Sequence, residues 1–226
     1  MTAAPRRRGP VVAIDGPSGA GKSTAARALA HALGFIFVDT GAMYRALALR
    51  ALRLGVALDD AERLARLLAE SRIELEDGGR RVRLDGEDVT EAIRSREVSG
   101  AASHVSVHPG VRRTMVARQK AIGSDGGVVL DGRDIGSAVF PDAEVKFYVD
   151  ADPAERARRR HAELGDRAGA SVAEIEKDIR ERDQKDMTRA DSPLVRTADA
   201  ILVNTSGLDR EAVLARMLAA VRARLR

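Results

Sequence analysis

The sequence predicts an α/β fold in which a doubly wound, five-stranded parallel sheet carries helices on both faces. Three observations predict it. Five short apolar runs alternate with segments of helical periodicity, which is typical of parallel strands joined by crossover helices. The first run leads through a glycine-rich loop into a helix. The chain has 226 residues, of which 44% are hydrophobic, so it can bury the core of one such domain.

The glycine-rich loop follows the first strand, Val11–Asp15. Residues 16–23 have the spacing G-x-x-x-x-G-K-S of a phosphate-binding P-loop. Its glycines lack a Cβ, so the backbone can bring its N–H groups against phosphate oxygens. The helix that begins here directs its unsatisfied donors and its positive dipole end at the same anion. A turn without a ligand is the alternative, but the flanking strand and helix are the context that the pattern requires.

Side chains of the loop complete the predicted site for a nucleoside triphosphate. Lys22 adds a positive charge for the β- and γ-phosphates, and the hydroxyl of Ser23, in preference to that of Thr24, is placed to bind Mg²⁺. We therefore predict that the donor nucleotide contacts the loop residues Gly16, Pro17, Ser18, Gly19, Ala20, Gly21, Lys22, Ser23 and Thr24.

The other strands and helices follow from periodicity and from capping residues. Further buried strands are predicted over residues 35–38, 128–131, 145–149 and 200–204. Helices are predicted over residues 21–33, 42–54, 95–107, 109–122 and 209–225. Three more helices begin at the N-caps Asp59, Asp152 and Ser171, each with a glutamate three residues on. For the first and third this predicts a capping box, and the second has a proline at its first position.

An antiparallel hairpin interrupts this α/β order. Residues 73–76 and 82–84 alternate between apolar and polar side chains around the turn at 77–80. A hairpin among parallel units indicates an inserted lobe, which we place at residues 63–93. Residues 1–226 then form a single domain, with residues 1–10 as a flexible tail.

The composition excludes several classes of protein. There are no cysteines, so neither disulfides nor thiolate metal sites can form, which is compatible with a reducing cytosol. The apolar run behind the arginines at 6–8 is too short for a signal peptide, and no stretch reaches the length of a membrane helix. We therefore expect a cytoplasmic protein without a membrane partner.

The basic residues are mostly arginine. The net charge is +4, and 33 of the 38 basic residues are arginines, whose guanidinium groups bind phosphate oxygens in pairs. Phosphorylated small molecules and nucleic acids are both compatible with this excess, and many of these arginines fit solvated helix faces equally well. Only 3% of the residues are aromatic and none is Trp, so little is available for base stacking, and we expect no nucleic-acid partner.

The strand at 128–131 ends in Asp131, as a Walker B strand does. In that arrangement the carboxylate reaches Mg²⁺ directly or through water. An aspartate that only caps the end of the strand is the alternative. The charged residues Arg133 and Asp134 follow directly after this buried strand, and their density favours a functional role.

Four segments together resemble the bacterial cytidylate kinases. They are the P-loop, residues 39–45 (Asp-Thr-Gly-Ala-Met-Tyr-Arg), residues 131–136 (Asp-Gly-Arg-Asp-Ile-Gly) and residues 181–189. The resemblance covers nearly the whole chain in the same order and spacing, and residues 131–136 are its most specific part. It implies transfer of the γ-phosphoryl group of ATP to CMP or dCMP with Mg²⁺. It also implies that the inserted lobe binds the monophosphate and that residues 156–171 form a lid.

The resemblance implies roles for individual residues. Substrate-binding residues would be Thr40, Tyr44, Arg45, Ser103, Arg112, Arg133, Asp134, Arg182, Asp186 and Arg189, of which Ser103, Arg112 and Asp134 meet the cytosine base. Catalysis would depend on Lys22, Arg133, Arg182 and Arg189, and Mg²⁺ would be held by Ser23 and Asp131. Thr40 stands where the family often has serine, which keeps the hydroxyl. The lid candidates for ATP are Arg156 and Arg160, with Arg159 and Arg167 beside them, although a solvated face explains these four equally well.

Elementary chemistry supports the assignment at two points. A carboxylate only accepts hydrogen bonds, so Asp134 suits the amino group of cytosine and would repel the carbonyl oxygen of uracil. The acceptor is a phosphate monoester whose second pKa is about 6, so its attacking oxygen is already anionic near neutral pH and needs no general base. The site must therefore supply positioning and charge neutralisation.

Two other functions remain open from the sequence alone. The first is a P-loop kinase for another nucleoside monophosphate or for a hydroxyl-bearing acceptor, which would ask for a carboxylate base. The second is an RNA-binding or regulatory ATPase module, which the basic composition suggests. For the function that the resemblance implies, we expect a monomer whose partners are the small nucleotides CMP, dCMP and ATP.

Overall fold

The computed structural model describes residues 9–165 and 169–225. Its strands, numbered along the chain, are β1 (Val11–Asp15), β2 (Ile36–Asp39), β3 (Ile73–Glu76), β4 (Arg81–Leu84), β5 (Glu87–Asp88), β6 (Val128–Asp131), β7 (Val145–Asp150) and β8 (Ile201–Asn204). Its α-helices are α1 (Lys22–Leu33), α2 (Thr40–Arg53), α3 (Ala61–Glu70), α4 (Arg96–Val105), α5 (Pro109–Ile122), α6 (Pro153–Leu164), α7 (Val172–Thr188) and α8 (Arg210–Arg224).

A five-stranded parallel sheet forms the centre of the protein and confirms the predicted fold class. Its strand order is β2-β6-β1-β7-β8, with every neighbouring pair parallel. Along β1 the side chains of Val12 and Ile14 pack into a cluster with α1 and α8, whereas Val11 and Ala13 pack into a cluster on the other face. Because both faces are covered, the central strand has no polar positions before Asp15.

The register of the sheet brings three aspartates to one edge. Asp39 at the end of β2 and Ile14 in β1 are both paired with Asp131 at the end of β6. Asp15 follows Ile14 at the end of β1. Three neighbouring strands therefore present carboxylates at their carboxyl ends, which is the edge where open α/β sheets bind ligands.

The predicted hairpin forms, and it has a third strand. β3 and β4 pair antiparallel, and the two-residue β5 pairs with β4. The apolar side chains of these strands pack with α2, α3, α4 and α5 in one hydrophobic cluster. The small sheet and four helices thus share a core that is separate from the clusters on the large sheet.

One local prediction is wrong, and one short helix was not predicted. Helix α3 is capped by Asp60, whose carboxylate accepts a hydrogen bond from the backbone N–H of Arg63 at 3.0 Å, and the predicted cap at Asp59 is wrong. Either of two consecutive aspartates can cap a helix, and periodicity does not choose between them. The sequence also gave no sign of the short helix Ile135–Val139, in which Phe140 N–H donates to Ile135 O in a π-type bond.

Other helix boundaries agree closely with prediction. Ser171 and Glu174 form the predicted capping box at α7, and Asp152 caps α6 with Pro153 as its first residue. Within the described part of the chain, no helix has both the length and the apolarity to cross a membrane. Residues 1–8 of the predicted tail and the lid candidate Arg167 lie outside the described residues.

Candidate active site

The P-loop wraps from the end of β1 to the start of α1. Gly16 has a φ of +144°, and a Cβ at this position would lie 2.0 Å from the backbone oxygen of Val149. Gly21 precedes α1 with a φ of +87°. Both positions require glycine, because an L-side chain would collide with β7 at the first and strain the backbone at the second. The loop is therefore held close to the edge of the sheet.

The side chain of Lys22 turns back over the loop. It is buried, and its Nζ donates to Pro17 O at 2.6 Å. Burial, together with the positive charge of Arg133, lowers the pKa of Lys22 to about 7. An anion placed beside this ammonium group would favour its charged form.

Ser23 and Asp131, the residues predicted to hold Mg²⁺, are in direct contact. Ser23 Oγ donates to Asp131 Oδ2 at 2.5 Å, while the buried Asp131 Oδ1 has no hydrogen-bond partner among the described residues. Burial and the nearby charge of Asp39 raise the pKa of Asp131 to about 7. A carboxylate oxygen without a partner, next to a second carboxylate and a hydroxyl, fits a bound Mg²⁺.

Asp134, which follows β6, forms a buried ion pair with a residue of helix α5. Arg112 Nη2 of α5 donates to Asp134 Oδ2, and Arg189 Nη2 at the end of α7 lies 3.5 Å from Asp134 Oδ1. Arg112 and Asp134 are only 1% and 6% exposed, so the pair is shielded from solvent. Burial raises the pKa of Asp134 above its usual range, and the two arginines limit that rise.

Asp186 on α7 gathers a second group of arginines. Arg133 Nε donates to its Oδ2 at 3.0 Å, and Arg189 Nη1 lies 3.3 Å from its Oδ1. Burial opposes the ionised form, but Arg133, Arg182 and Arg189 hold the pKa of Asp186 below its usual range. This carboxylate is therefore the ionised partner of a cationic cluster.

With Arg182, the positive charge of the cluster exceeds the negative charge of Asp186. Its Nε is buried and finds no hydrogen-bond acceptor in the described chain. Burial and the charge of Arg133 lower the pKa of Arg182 to about 10. Three guanidinium groups therefore surround Asp186, and a bound anion would balance them.

The other predicted substrate residues have varied surroundings. Ser103 Oγ and Arg112 Nε are buried without hydrogen-bond partners in the described ranges, so each has a donor available. Thr40 Oγ1 donates to Asp131 O at 2.7 Å, and Arg45 pairs with Asp39 at 2.9 Å. Tyr44 is half-buried, and burial raises the pKa of its hydroxyl.

Arg156, predicted as a lid residue, contacts the backbone of the P-loop. Its Nη1 donates to Ser18 O at 2.8 Å and also pairs with Asp183 on α7. Asp183 in turn accepts the backbone N–H of Ser18 at 2.9 Å. Arg156 and Asp183 are 6% and 5% exposed, so the two form a buried brace between the P-loop, α6 and α7.

Arg160 lies one turn further along α6. It pairs with Glu163 at 2.9 Å and donates to Ser99 Oγ at 3.1 Å. Its side chain borders a cavity of about 500 Å³ between α4 and the helices α6 and α7. The residues from the sequence prediction that line this cavity are Ser18, Ser103, Arg160 and Arg182.

Sequence reasoning missed two carboxylates that shape the site. Asp183 is not among the predicted site residues, although it lies within the segment 181–189. The sequence predicts Asp15 only as the end of a strand, yet its carboxylate accepts hydrogen bonds from the backbone N–H groups of Ile135 and Gly136. The only signals in the sequence were that Asp15 ends a predicted strand and that Asp183 follows the predicted site residue Arg182.

The P-loop, the paired Ser23 and Asp131, and the arginine cluster define the chain as a P-loop kinase of small molecules. A family model described as cytidylate kinase matches residues 12–223. The chain belongs to the cytidylate kinase family.

Individual relatives agree with this family. The chain is 50% identical over 218 residues to a cytidylate kinase of Solibacter usitatus (strain Ellin6076), covering 95% of this chain and 93% of the relative. It is 52% identical over 210 residues to a cytidylate kinase of Desulfitobacterium hafniense (strain Y51), covering 92% and 90%. The structure of shikimate kinase from Acinetobacter baumannii in complex with shikimate superposes with a TM-score of 0.51 at 16% identity, covering 95% and 94%, which shows a common fold.

The brace predicts that Arg156 stabilises the protein in the absence of nucleotide. Arg156→Met leaves Asp183 buried without its cationic partner, so we expect the free energy of unfolding to fall by about 3–5 kcal/mol. Denaturant unfolding of the nucleotide-free protein measures this. The control is Arg158→Met on the exposed face of the same helix, for which we expect a change within about 0.5 kcal/mol. Equal stability of the two variants would contradict the brace.

The burial of Asp15 predicts a pH dependence of stability. Burial raises its pKa from 3.8 to about 6, so the folded state keeps this proton to higher pH than the unfolded state. The stabilising contribution is therefore full below about pH 4 and is lost as the pH rises through 6. Relative to Asp15→Asn, the wild type should lose about 3 kcal/mol of unfolding free energy across that window. Urea unfolding of both proteins from pH 4 to 8 tests this, and a constant difference would refute it.

Proposed function

We propose that the chain is a cytidylate kinase that transfers the γ-phosphoryl group of ATP to CMP or dCMP, giving ADP and CDP or dCDP. One observation carries the proposal above the rest. A buried carboxylate, Asp134, lies next to a cluster of three guanidinium groups around Asp186. A cytosine base and a phosphate dianion on one small molecule match these two features.

The donor side fits a triphosphate with Mg²⁺. Phosphate oxygens beside Lys22 would restore the charged form that burial opposes. Asp131 and Ser23 would hold Mg²⁺, which would supply positive charge to neutralise the phosphates. The backbone N–H groups of the P-loop add fixed donors that need no rearrangement.

The acceptor side fits a monophosphate dianion. Arg133, Arg182 and Arg189 together exceed the charge of Asp186, and the Nε of Arg182 lacks an acceptor among the described atoms. The acceptor phosphate loses its second proton near pH 6, so it enters as a nucleophile without help from a base. These residues therefore act by orienting the acceptor oxygen and by balancing charge in the transition state.

The base-binding side discriminates cytosine from uracil by hydrogen-bond polarity. Cytosine has an amino group that donates to Asp134, and its ring nitrogen and carbonyl oxygen accept from donors such as Arg112 Nε and Ser103 Oγ, both without partners in the described chain. Uracil presents an oxygen to the carboxylate and an N–H to the guanidinium group. Both contacts are repulsive, so CMP is favoured.

The acceptor preference tests this function directly. In a coupled assay of ADP release we expect the wild type to use CMP and dCMP better than UMP, AMP or an alcohol such as shikimate. Asp134→Asn removes the carboxylate that reads the amino group, so the kcat/KM ratio of CMP to UMP should fall about 10- to 100-fold. The exposed Asp125→Asn serves as the control and should leave the ratio unchanged. A wild type that uses UMP as well as CMP contradicts the proposal.

A further inference from the structure

Asp15 is a buried carboxylate with two main-chain donors. It is 6% exposed, and its Oδ1 accepts from Ile135 N–H at 2.8 Å while its Oδ2 accepts from Gly136 N–H at 2.7 Å. Both oxygens are therefore used, each by a different N–H group. Asp15 belongs to β1, whereas its donors lie at the start of the short helix Ile135–Val139.

These donors directly follow Asp134. The first N–H groups of a helix have no acceptor within the helix, so a carboxylate from another element can cap them. On the other side of Asp134, the backbone N–H of Gly132 donates to Ile14 O at 2.9 Å. Strand β1 thus holds the main chain on both sides of Asp134, through one backbone bond and through the carboxylate of Asp15.

The close fit at Gly136 makes this attachment rigid. A Cβ on Gly136 would lie 3.1 Å from Lys146 Cδ and 3.4 Å from Asp15 Oδ2. Lys146 itself pairs with Asp199 at 2.8 Å and donates to Pro141 O. The main chain at residue 136 is therefore confined between β1 and the stem of Lys146, with little room to shift.

We infer that Asp15 is a positioning residue for base discrimination: by holding the backbone that follows Asp134, it fixes the direction in which the Asp134 carboxylate meets a pyrimidine base. The inference rests on the proposed function, since it concerns how CMP is preferred to UMP. In this role Asp15 acts through Asp134 and does not bind the base itself.

Asparagine at position 15 tests the inference because it keeps the shape and removes one acceptor. Its amide nitrogen would face one of the two N–H groups, so that donor loses its partner and the segment shifts. We expect the kcat/KM ratio of CMP to UMP to fall about 5- to 10-fold in Asp15→Asn. Loss of folded protein lowers both activities by the same factor, so a purely structural role leaves this ratio unchanged.

Two further variants separate positioning from stability. Met217→Ala creates a cavity in the core beneath α8, away from Asp134, and should lower the melting temperature without changing the ratio. In an Asp134→Asn background, adding Asp15→Asn should lower the ratio no further, because the two residues act in one chain of contacts. An additive effect would show that Asp15 acts independently of Asp134.

The outcomes distinguish this inference from the function on which it rests. A wild type without a preference for CMP overturns both. A wild-type preference that Asp15→Asn retains overturns the inference alone. If Asp15→Asn does not fold, Gly136→Ala replaces it, because the added methyl group would press on the same backbone segment. A fall in the CMP-to-UMP ratio, smaller than the one expected for Asp15→Asn, supports the inference. An unchanged ratio overturns it.

Discussion

The buried pair of Asp134 and Arg112 is the constraint on which the geometry of this site depends. Removing two charges from water costs several kcal/mol per ion, so each must keep a partner of opposite sign. Arg112 belongs to α5, Asp134 follows β6, and Arg189 directly follows α7. The Asp134 carboxylate therefore connects β6, α5 and α7 at the carboxyl edge of the sheet. A shift of any of these three elements would leave a buried charge without its partner.

Helix α7 connects the two halves of the proposed reaction. Asp183 accepts the backbone N–H of Ser18 in the P-loop, while Arg182 and Asp186 on the same helix belong to the arginine cluster. Helix α7 thus fixes the distance between the P-loop, which would bind the donor phosphates, and the arginine cluster, which would bind the acceptor phosphate. Positioning two polyanions in line is the largest demand of phosphoryl transfer, and a shared helix meets it without a catalytic base.

The fold and the place of the P-loop between β1 and α1 could be predicted from the sequence, because strands buried on both faces are continuous apolar runs and the P-loop has a fixed spacing. The burial of charged residues by tertiary contacts could not be predicted in this way. Arg156 looks like any solvated arginine in α6, and only its distance to Asp183 reveals a brace. Asp15 looks like a strand end, and its role emerges only when residues 120 positions away fold against it. Periodicity carries no information on such contacts.

The proposed function requires guanidinium groups to bind the acceptor phosphate while Asp134 binds the base. A crystal structure with CMP and a non-hydrolysable ATP analogue tests it most directly. The account predicts the CMP phosphate within hydrogen-bond distance of Arg133, Arg182 and Arg189, and the cytosine amino group within that distance of Asp134. A CMP phosphate bound elsewhere, or a base turned away from Asp134, would contradict it.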